Sequence, residues 1–254
     1  MKIGFIGVGT IASAIVKGLC MNGDIRHEIC LSPRNKEKAA ALAARYSNVS
    51  VCETNQEVLD RSEMVVLAVI PKQAEGILSE LTFRPEHKVV SFMSDFTVER
   101  IRGIVGNVKK IVRVLPLPFA AMCVGPVVVY PADTEIQEIF SKVGNVIGIE
   151  DEDKMEIMLG ITGVMSAFYG LTDAVVCWGE KAGLTKEESA GYVTAFFEAL
   201  SVQAGKSADI NALANEYTPG GLNEMGLVKI RDQRQAYDAW CEALDDILAR
   251  LQKK

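Results

Sequence analysis

The sequence has few of the residues that many enzymes use for acid–base catalysis or metal binding. Only two histidines occur, His27 and His87, and each precedes an apolar strand-like run, where a surface position is expected. The six cysteines form no close pair and lie at Cys20, Cys30, Cys52, Cys123, Cys177 and Cys241. Such spacing is typical of reduced core residues in a cytosolic protein, and it argues against a disulfide framework or a zinc site. The protein is therefore predicted to be cytoplasmic, with neither a histidine-centred mechanism nor a bound metal.

Clustered positive charge and long apolar runs are also scarce. The net charge is −6 and no basic block occurs, which argues against nucleic acid and anionic membranes as partners. No apolar run of transmembrane length stands out, so no membrane-spanning segment is expected. The chain of 254 residues is 49% hydrophobic and 24% charged, which is ordinary for a globular protein. Its length suits one large domain or two modest ones.

The N-terminal stretch has the pattern of a strand, a tight turn and a helix. Residues 2–6 are apolar, Gly7-x-Gly9-x-x-Ala12 follows at once, and apolar residues then recur at helical spacing. Gly7 permits the sharp turn, and Gly9 leaves room for a pyrophosphate to approach the backbone. Ala12 is small enough for the helix to pack on the strand. This is the pattern of a dinucleotide-binding turn.

The start of the predicted helix adds the means of binding an anion. The free N–H groups of Thr10 and Ile11 and the helix dipole face the position of the phosphates. Glycine-rich turns are common, and the flanking strand and helix are what make this one specific. A signal peptide would also show Lys2, an apolar run and a triplet of small residues. However, glycines interrupt the apolar run and the helix continues past the triplet, so a signal peptide is not expected.

The residues after the second predicted strand bear on the choice of cofactor. NAD enzymes usually carry an acidic residue here, about 20 residues beyond the glycines, to hold the ribose 2′-hydroxyl. This chain has Ser32 at that place, with Arg34 and Lys36 close by. A hydroxyl and two cations suit a 2′-phosphate, so NADP(H) is predicted over NAD(H). The alternative is that the two cations only solvate a helix start, where the dipole does not favour them.

Strand and helix patterns alternate up to residue 150, and helical patterns alone follow. The alternation predicts an α/β fold, a Rossmann-type doubly wound sheet, followed by an all-α domain. The predicted domains are residues 1–150 and residues 151–254. Residues 151–181 and 222–251 are each predicted to form one long helix. Trp178 is expected in the core or in a dimer interface, and Tyr169 in the core.

Six short motifs occur in order over nearly the whole chain. They are residues 3–9 with Ala12, Ser32-Pro33-Arg34, Thr54-Asn55, Ala68-Val69-Ile70-Pro71, Val112-Arg113-Val114-Leu115-Pro116 and Thr218-Pro219-Gly220-Gly221. Each motif alone is weak, but the ordered set resembles the pyrroline-5-carboxylate reductase family. The resemblance implies an NADPH-dependent imine reductase that produces proline. It also implies a homodimer, in which the helical domains of two subunits interlock and the active site lies between the partner and the nucleotide domain.

The resemblance also assigns the cofactor-binding residues. Arg34 and Ser32 would bind the 2′-phosphate, and Asn55 would lie at the adenosine side. Ala68, Val69 and Pro71 would lie at the nicotinamide side. With the residues of the glycine turn, the predicted cofactor set is Gly7, Gly9, Thr10, Ile11, Ser32, Arg34, Asn55, Ala68, Val69 and Pro71.

Three motifs on the substrate side depart from the family's pattern. The family's Ser-Gly-Ser-Gly-Pro-Ala-Tyr is here Thr-Gly-Val-Met-Ser-Ala-Phe at residues 162–168. Its Ser-Pro-Gly-Gly-Thr-Thr is Thr-Pro-Gly-Gly-Leu-Asn at residues 218–223, and its Pro-Asn-Thr-Pro is Pro-Leu-Pro-Phe at residues 116–119. The cofactor half is therefore kept, whereas the substrate half has become partly apolar.

Hydride transfer to an iminium needs little acid–base apparatus, since the acceptor already carries positive charge. As a hypothesis, the N–H groups of Gly220, Gly221 and Leu222 hold the substrate carboxylate at a helix start. Thr218 and Asn223 would add polar contacts, and Ser166 would hydrogen-bond the imine nitrogen. Thr218, Ser166 and Asn223 are thus the candidate catalytic residues. The alternative is that residues 218–221 form only a stiff turn and a helix cap.

Two other functions stay open from the sequence alone. β-Hydroxyacid dehydrogenases share the plan of a nucleotide domain and a helical domain, and they commonly use a lysine on the first helix after the boundary. Lys154 and Lys181 stand at the two ends of the long predicted helix, and neither is well placed for that role. A non-catalytic NADP-binding protein with a lost substrate site is the other alternative.

Overall fold

The structure, a computed structural model, describes residues 1–21 and 26–253. Its internal contacts divide the chain into two compact units, Met1–Met155 and Glu156–Lys254. We call them the N-terminal unit and the C-terminal unit.

The N-terminal unit contains one sheet of eight strands with helices between them. The strands are β1 (Lys2–Ile6), β2 (Glu28–Leu31), β3 (Val49–Val51), β4 (Met64–Leu67), β5 (Lys88–Ser91), β6 (Lys110–Leu115), β7 (Pro126–Tyr130) and β8 (Asn145–Gly148). The helices are α1 (Thr10–Leu19), α2 (Lys36–Arg45), α3 (Asn55–Arg61), α4 (Pro71–Leu78), α5 (Val98–Val105) and α6 (Thr134–Phe140), with a 3₁₀ turn at Pro118–Met122.

The order of the strands across the sheet is β3-β2-β1-β4-β5-β6-β7-β8. Neighbouring strands run parallel, except that β7 pairs with β6 in the antiparallel direction. The first six strands thus have the order of a doubly wound dinucleotide fold, with its switch point between β1 and β4. The predicted α/β fold class is confirmed.

Apolar side chains cover both faces of this sheet. Along β1, Phe5 belongs to the core cluster shared with α1 and α2, whereas Ile6 belongs to the cluster shared with α3, α4 and α5. Strands buried on both faces explain the continuous apolar runs in the sequence. Ala12 is buried, as its small size predicts. Gly18 allows a second close approach, because a Cβ there would lie 2.3 Å from the carbonyl oxygen of Ala120.

The C-terminal unit is helical. The helices after β8 are α7 (Asp153–Thr162), α8 (Met165–Lys181), α9 (Lys186–Lys206), α10 (Ile210–Ala214), α11 (Leu222–Leu227) and α12 (Ala236–Leu251), with a π-helical turn at Val228–Asp232. A capping box formed by Thr185 and Glu188 is present at the start of α9. Thr185 Oγ1 accepts from the Glu188 N–H, and Glu188 accepts from the Thr185 N–H.

The two long helices predicted from the sequence are each broken. Residues 163–164 separate α7 from α8, and an added Cβ at Gly163 would lie 2.9 Å from Ile247 Cδ1 of α12. Close packing against a second helix therefore explains this glycine. The last helix is interrupted between Leu227 and Ala236 by the π-helical turn and by Gln235, which has a φ of 50°. A left-handed residue cannot continue an α-helix, and no glycine or proline signalled this break.

The C-terminal unit buries little apolar surface within itself. Among the residues that the structure describes, Val193 is its only buried hydrophobic side chain. Trp178 is 69% exposed and Tyr169 is 53% exposed, so the core position predicted for Tyr169 is wrong. The stretch Asp153–Lys181 is also long and apolar enough to cross a membrane by length and composition, contrary to the sequence analysis. Core helices of soluble proteins pass the same test.

Two other expectations need correction. His87 is buried rather than exposed, with 1% of its surface accessible. Its Nδ1 accepts from the Arg84 N–H, and its Nε2 lies 3.1 Å from the carbonyl oxygen of Leu59. None of the six cysteines forms a disulfide, but Cys241 is exposed and therefore not a core residue. His87 thus has a structural position between the ends of α3 and β5.

Candidate functional site

The glycine turn lies at the switch point of the sheet. Gly7 follows β1 directly and has a φ of +97°, which L side chains rarely adopt. An added Cβ at Gly7 would lie 2.6 Å from the carbonyl oxygen of Ala68, just after β4. Glycine is required here for two reasons, the backbone conformation and the contact with the neighbouring strand's end.

Gly9 has a different environment. It precedes α1 as the helix cap, is exposed, and has no atom within 4 Å of the position of an added Cβ. The first intrahelical bond runs from the Ser13 N–H to the carbonyl of Gly9, and helix geometry leaves the N–H groups of Thr10 and Ile11 outside this ladder. Open space in front of these donors is what a pyrophosphate needs, so the turn fits a dinucleotide.

The two residues predicted to bind the 2′-phosphate have different surroundings. Ser32 is buried at the end of β2, and its Oγ accepts from the Gly7 N–H at 2.9 Å. Ser32 therefore stabilises the backbone of the glycine turn through this hydrogen bond. Arg34 is exposed, and no ion pair or hydrogen bond engages its side chain within the described part of the chain. Its guanidinium is free to meet a phosphate.

The remaining cofactor candidates lie at the same edge. Ala68 and Val69 follow β4 and are half-buried, Pro71 is the first residue of α4, and Asn55 is the first residue of α3. Because the carboxyl ends of parallel strands meet at one edge of a sheet, the structure brings these residues to the edge that carries the glycine turn. Whether each one touches a cofactor stays a prediction.

Arg113 is a buried arginine to which the sequence alone assigned no role. Its side chain lies within β6, is 5% exposed, and pairs with Glu152 at 2.8 Å. A second nitrogen of the same guanidinium donates to the carbonyl of Ser94, in the loop after β5. Glu152 also accepts from the Val98 N–H at the start of α5.

Arg113 stabilises the position of the loop that follows the carboxyl end of β5. A charge in a buried strand is costly unless it is paired and hydrogen-bonded. The signal for this role was visible in the sequence as a lone arginine inside the apolar run of residues 111–115. The ion-pair partner of Arg113 could not be predicted from the sequence, because Glu152 lies on a distant segment of the chain.

The thiol of Cys52, which lies near this edge of the sheet, is not an activated nucleophile. Cys52 follows β3, and burial raises the pKa of its thiol to about 11, with Cys30 and Glu57 adding to the shift. A thiol with such a pKa stays protonated near neutral pH and does not attack substrates. No group of metal-binding side chains occurs among the described residues.

The predicted carboxylate site in the C-terminal unit is partly occupied by the chain itself. Gly220 has a φ of +76°, and its N–H donates to Glu224 Oε2 at 2.5 Å. The Gly221 N–H donates to the carbonyl of Thr218 at 2.8 Å, and Gly221 caps α11. Both glycine donors thus have acceptors, in agreement with the turn-and-cap alternative. The N–H groups of Leu222 and Asn223 remain at the helix start.

The candidate catalytic side chains, those of Thr218, Ser166 and Asn223, are exposed. Thr218 precedes the glycine pair, Asn223 is the second residue of α11, and Ser166 is the second residue of α8. No hydrogen bond joins Ser166 to Thr218 or Asn223 in the described residues. Within the described part of one chain, these three side chains therefore form no hydrogen-bonded group.

Known proteins share both the sequence pattern and the fold. A family model described as NADP oxidoreductase, coenzyme F420-dependent, matches residues 2–95. Pyrroline-5-carboxylate reductase 1 of Bacillus spizizenii is 28% identical over 245 residues, which cover 91% of this chain and 82% of that relative.

Two solved structures are similar over the full length. The 1-pyrroline-5-carboxylate reductase of Streptococcus pyogenes has a TM-score of 0.84 and 23% identity, over 100% of this chain and 99% of that chain. The pyrroline carboxylate reductase of Plasmodium falciparum, solved with NADP bound, has a TM-score of 0.81 and 21% identity, over 100% and 97%. The ordered motifs, the sequence identity and the shared fold together show that this chain is similar to pyrroline-5-carboxylate reductases over most of its length.

Proposed function

We propose that the protein is an NADPH-dependent imine reductase and that pyrroline-5-carboxylate is the first substrate to test. The observation that carries this proposal is the match to curated pyrroline-5-carboxylate reductases over most of both chains. The β-hydroxyacid dehydrogenase alternative is not favoured by these relatives. It would also need an acid–base lysine, and Lys154 is exposed at the start of α7.

NADP(H) fits the edge of the sheet at three places. Gly9 and the first N–H groups of α1 would hold the pyrophosphate, and Arg34 would hold the 2′-phosphate. Ser32 would act indirectly, by keeping the Gly7 turn in place through its hydrogen bond. When bound, the nicotinamide supplies the hydride that reduces the C=N bond. The chain's own task is then to orient substrate and exclude water, which needs no histidine.

The substrate residues remain a proposal. Leu222 and Asn223 would offer N–H groups to a carboxylate at the start of α11, together with Gly220 once Glu224 withdraws. Thr218 and Ser166 would complete the site together with a second subunit, since no hydrogen bond joins them within the described part of one chain. A homodimer through the helical unit would also cover apolar side chains that the single chain leaves exposed. A cytoplasmic location, with no nucleic-acid or membrane partner, stays the expectation drawn from the cysteines and the charge.

Mixing the purified protein with NADPH and pyrroline-5-carboxylate tests the activity directly. We expect the nicotinamide absorbance to fall and proline to form in equal amount. A panel of other cyclic imines tests whether the apolar changes at residues 116–119 and 162–168 have moved the specificity. NADPH binding without turnover on the whole panel would contradict the proposal and favour a non-catalytic NADP-binding protein.

Replacing Arg34 by Ala tests the cofactor assignment. Loss of charge-assisted hydrogen bonds should raise the Kd for NADPH about tenfold or more. The Kd for NADH, which has no 2′-phosphate, should stay within about twofold and serves as the internal control. Fluorescence titration measures both constants. An equal rise for the two cofactors would show that Arg34 does not read the 2′-phosphate.

A further inference from the structure

The loop after β5, residues 92–97, lies beside the loop after β4 at the carboxyl edge of the sheet. β5 pairs with β4 in parallel, and the Phe92 N–H donates to the carbonyl of Leu67, the last residue of β4, at 2.9 Å. Ala68 comes next, and its carbonyl is the one that approaches Gly7. We call residues 92–97 the β5 loop. It extends the edge that carries the glycine turn.

The strand order places the β5 loop on one side of the switch point and the end of β2 on the other. A dinucleotide lies across the switch point of a doubly wound sheet, so its two halves occupy opposite sides. Arg34, which follows β2, holds the 2′-phosphate of the adenosine half in the proposed function. The nicotinamide half then extends over the ends of β4 and β5. This step rests on the proposed function, because it takes the cofactor to be NADPH.

Arg113 holds the β5 loop at both ends of its second half. One nitrogen of its guanidinium donates to the carbonyl of Ser94 at 2.9 Å, and another pairs with Glu152 at 2.8 Å. The same Glu152 oxygen accepts from the N–H of Val98, the residue directly after the loop, at 2.9 Å. Because the Arg113 side chain is buried in β6, water competes little with these bonds.

A second arginine holds the same loop from α5. The guanidinium carbon of Arg100 lies 3.9 Å from the centre of the Phe96 ring, which is buried, and Arg100 also pairs with Glu75 of α4 at 2.7 Å. A cation over an aromatic ring is attracted to its face. Two arginines from different elements therefore fix neighbouring parts of the β5 loop. Such support is what a wall that orients a reacting group requires.

We infer that the β5 loop forms a wall of the nicotinamide site and that Arg113 is a positioning residue for hydride transfer. Arg113 acts through the loop, whose backbone it fixes at Ser94 and, through Glu152, at Val98. Hydride transfer depends on the distance and angle between the nicotinamide and the C=N carbon. A misplacement of about 1 Å can lower the rate about a hundredfold.

Binding of a whole and of a truncated cofactor tests this role without any substrate. Calorimetry gives the Kd of Arg113→Met for NADPH and for adenosine 2′,5′-bisphosphate, which has the 2′-phosphate but no nicotinamide. The Kd for NADPH should rise about fivefold, since the loop must be ordered on binding, and the Kd for the bisphosphate should stay within about twofold. An arginine that only supports the fold would change both constants equally or neither, and either result would overturn the proposal.

This comparison also separates the inference from the proposed function. A wild-type protein that binds NADPH but reduces no imine would contradict the proposed function, and the two Kd values would still decide the role of Arg113.

Steady-state kinetics with a matched arginine provides the second test. Arg113→Met should lower kcat for imine reduction about tenfold or more. Arg84→Met is the control, because the Arg84 guanidinium also donates to backbone carbonyls, but before β4 at the amino edge of the sheet, namely those of Leu59, Asp60 and Ser62. The control should lower the melting temperature and leave kcat within about twofold. Equal falls of kcat in the two variants would overturn the proposal.

Arg100→Met decides the question if Arg113→Met does not fold. The Arg100 side chain is 50% exposed, so its loss should have little effect on folding. It should still lower kcat severalfold and raise the Kd for NADPH but not that for the bisphosphate, because the cation over Phe96 is lost. An unchanged kcat together with an unchanged Kd for NADPH would show that the β5 loop does not orient the nicotinamide.

Discussion

The two units of this protein bury their apolar side chains differently. The N-terminal unit covers both faces of its sheet with two clusters of buried side chains from its own strands and helices. The C-terminal unit has Val193 as its one buried hydrophobic side chain among the described residues, whereas Phe168, Trp178, Tyr192 and Leu222 are among those it exposes. Exposed apolar surface of this extent is typical of a protein–protein interface.

The family's motifs divide in the same way. Those of the N-terminal unit meet at one edge of one sheet, so their geometry is complete within a single chain. Those of the C-terminal unit lie on separate helices, and the N–H groups of Gly220 and Gly221 are already bonded within the chain. The N-terminal motifs thus have their arrangement within one chain, whereas the proposed function requires a second subunit to complete the arrangement of the C-terminal motifs.

The largest expected effect comes from placing a charge on the exposed apolar helices. Leu171 is 49% exposed in α8, and Leu171→Glu should convert a dimer to monomers and abolish imine reduction while NADPH binding survives. Light scattering measures the mass. Ile147→Glu, at a 40% exposed position on the edge strand β8, is the matched control and should stay dimeric. A wild-type protein that is monomeric and active would contradict the proposal that these helices form a dimer interface needed for activity.

Substitutions of the two glycines of the turn should have different effects, one on stability and the other on cofactor binding. Gly7→Ala should lower the free energy of unfolding by about 3 kcal/mol, because of its positive φ and the contact with the Ala68 carbonyl. Gly9→Ala should leave stability nearly unchanged, because its Cβ meets no atom, yet raise the Kd for NADPH about tenfold or more. Urea unfolding and cofactor titration measure the two effects. The same loss of stability in both variants would contradict this division of roles.

Arg113 offers a comparison between a buried and an exposed ion pair. Arg113→Met should lower the free energy of unfolding by about 3 kcal/mol, because it leaves the partly buried carboxylate of Glu152 without its cation and the Ser94 carbonyl without its donor. Arg61→Met, in a pair with side chains 45% and 38% exposed, should cost less than about 1 kcal/mol. Urea unfolding of both variants checks the difference. Similar values would mean that Arg113 does not secure the loop after β5.

The smallest expected effect is a change of stability with pH at His87. Burial lowers the pKa of His87 below its ordinary 6.5, with Arg84 acting in the same direction and Glu86 and Asp60 opposing it. The folded state therefore favours the neutral ring. Its contribution to stability is complete above pH 6.5 and is lost as the pH falls through the folded-state pKa.

Urea unfolding of the wild type and of His87→Asn between pH 7.5 and pH 5 measures this effect. The variant should be less stable at every pH, and its stability should fall less steeply with acid. Taking the difference between the two proteins removes the contribution of His27, which is common to both. Parallel slopes would show that His87 does not titrate differently in the folded and unfolded states.

Local patterns in the sequence determined the doubly wound sheet, the glycine turn, the helix caps and the division between the mixed and the helical half. These features depend on residues close together in the chain, such as Gly7, Gly9 and Ala12, or Thr185 and Glu188. They could be predicted because the backbone hydrogen bonds and caps involved are themselves local.

Tertiary structure alone decided the rest, since the contacts join distant segments. Ser32 supports the Gly7 turn, Arg113 meets Glu152, and α12 packs at Gly163 where α7 ends. The burial of His87 also depends on what packs around it in three dimensions. The sequence predicted which half binds a dinucleotide, and the fold decided which side chains support that half and which surfaces of the other half stay uncovered in the single chain.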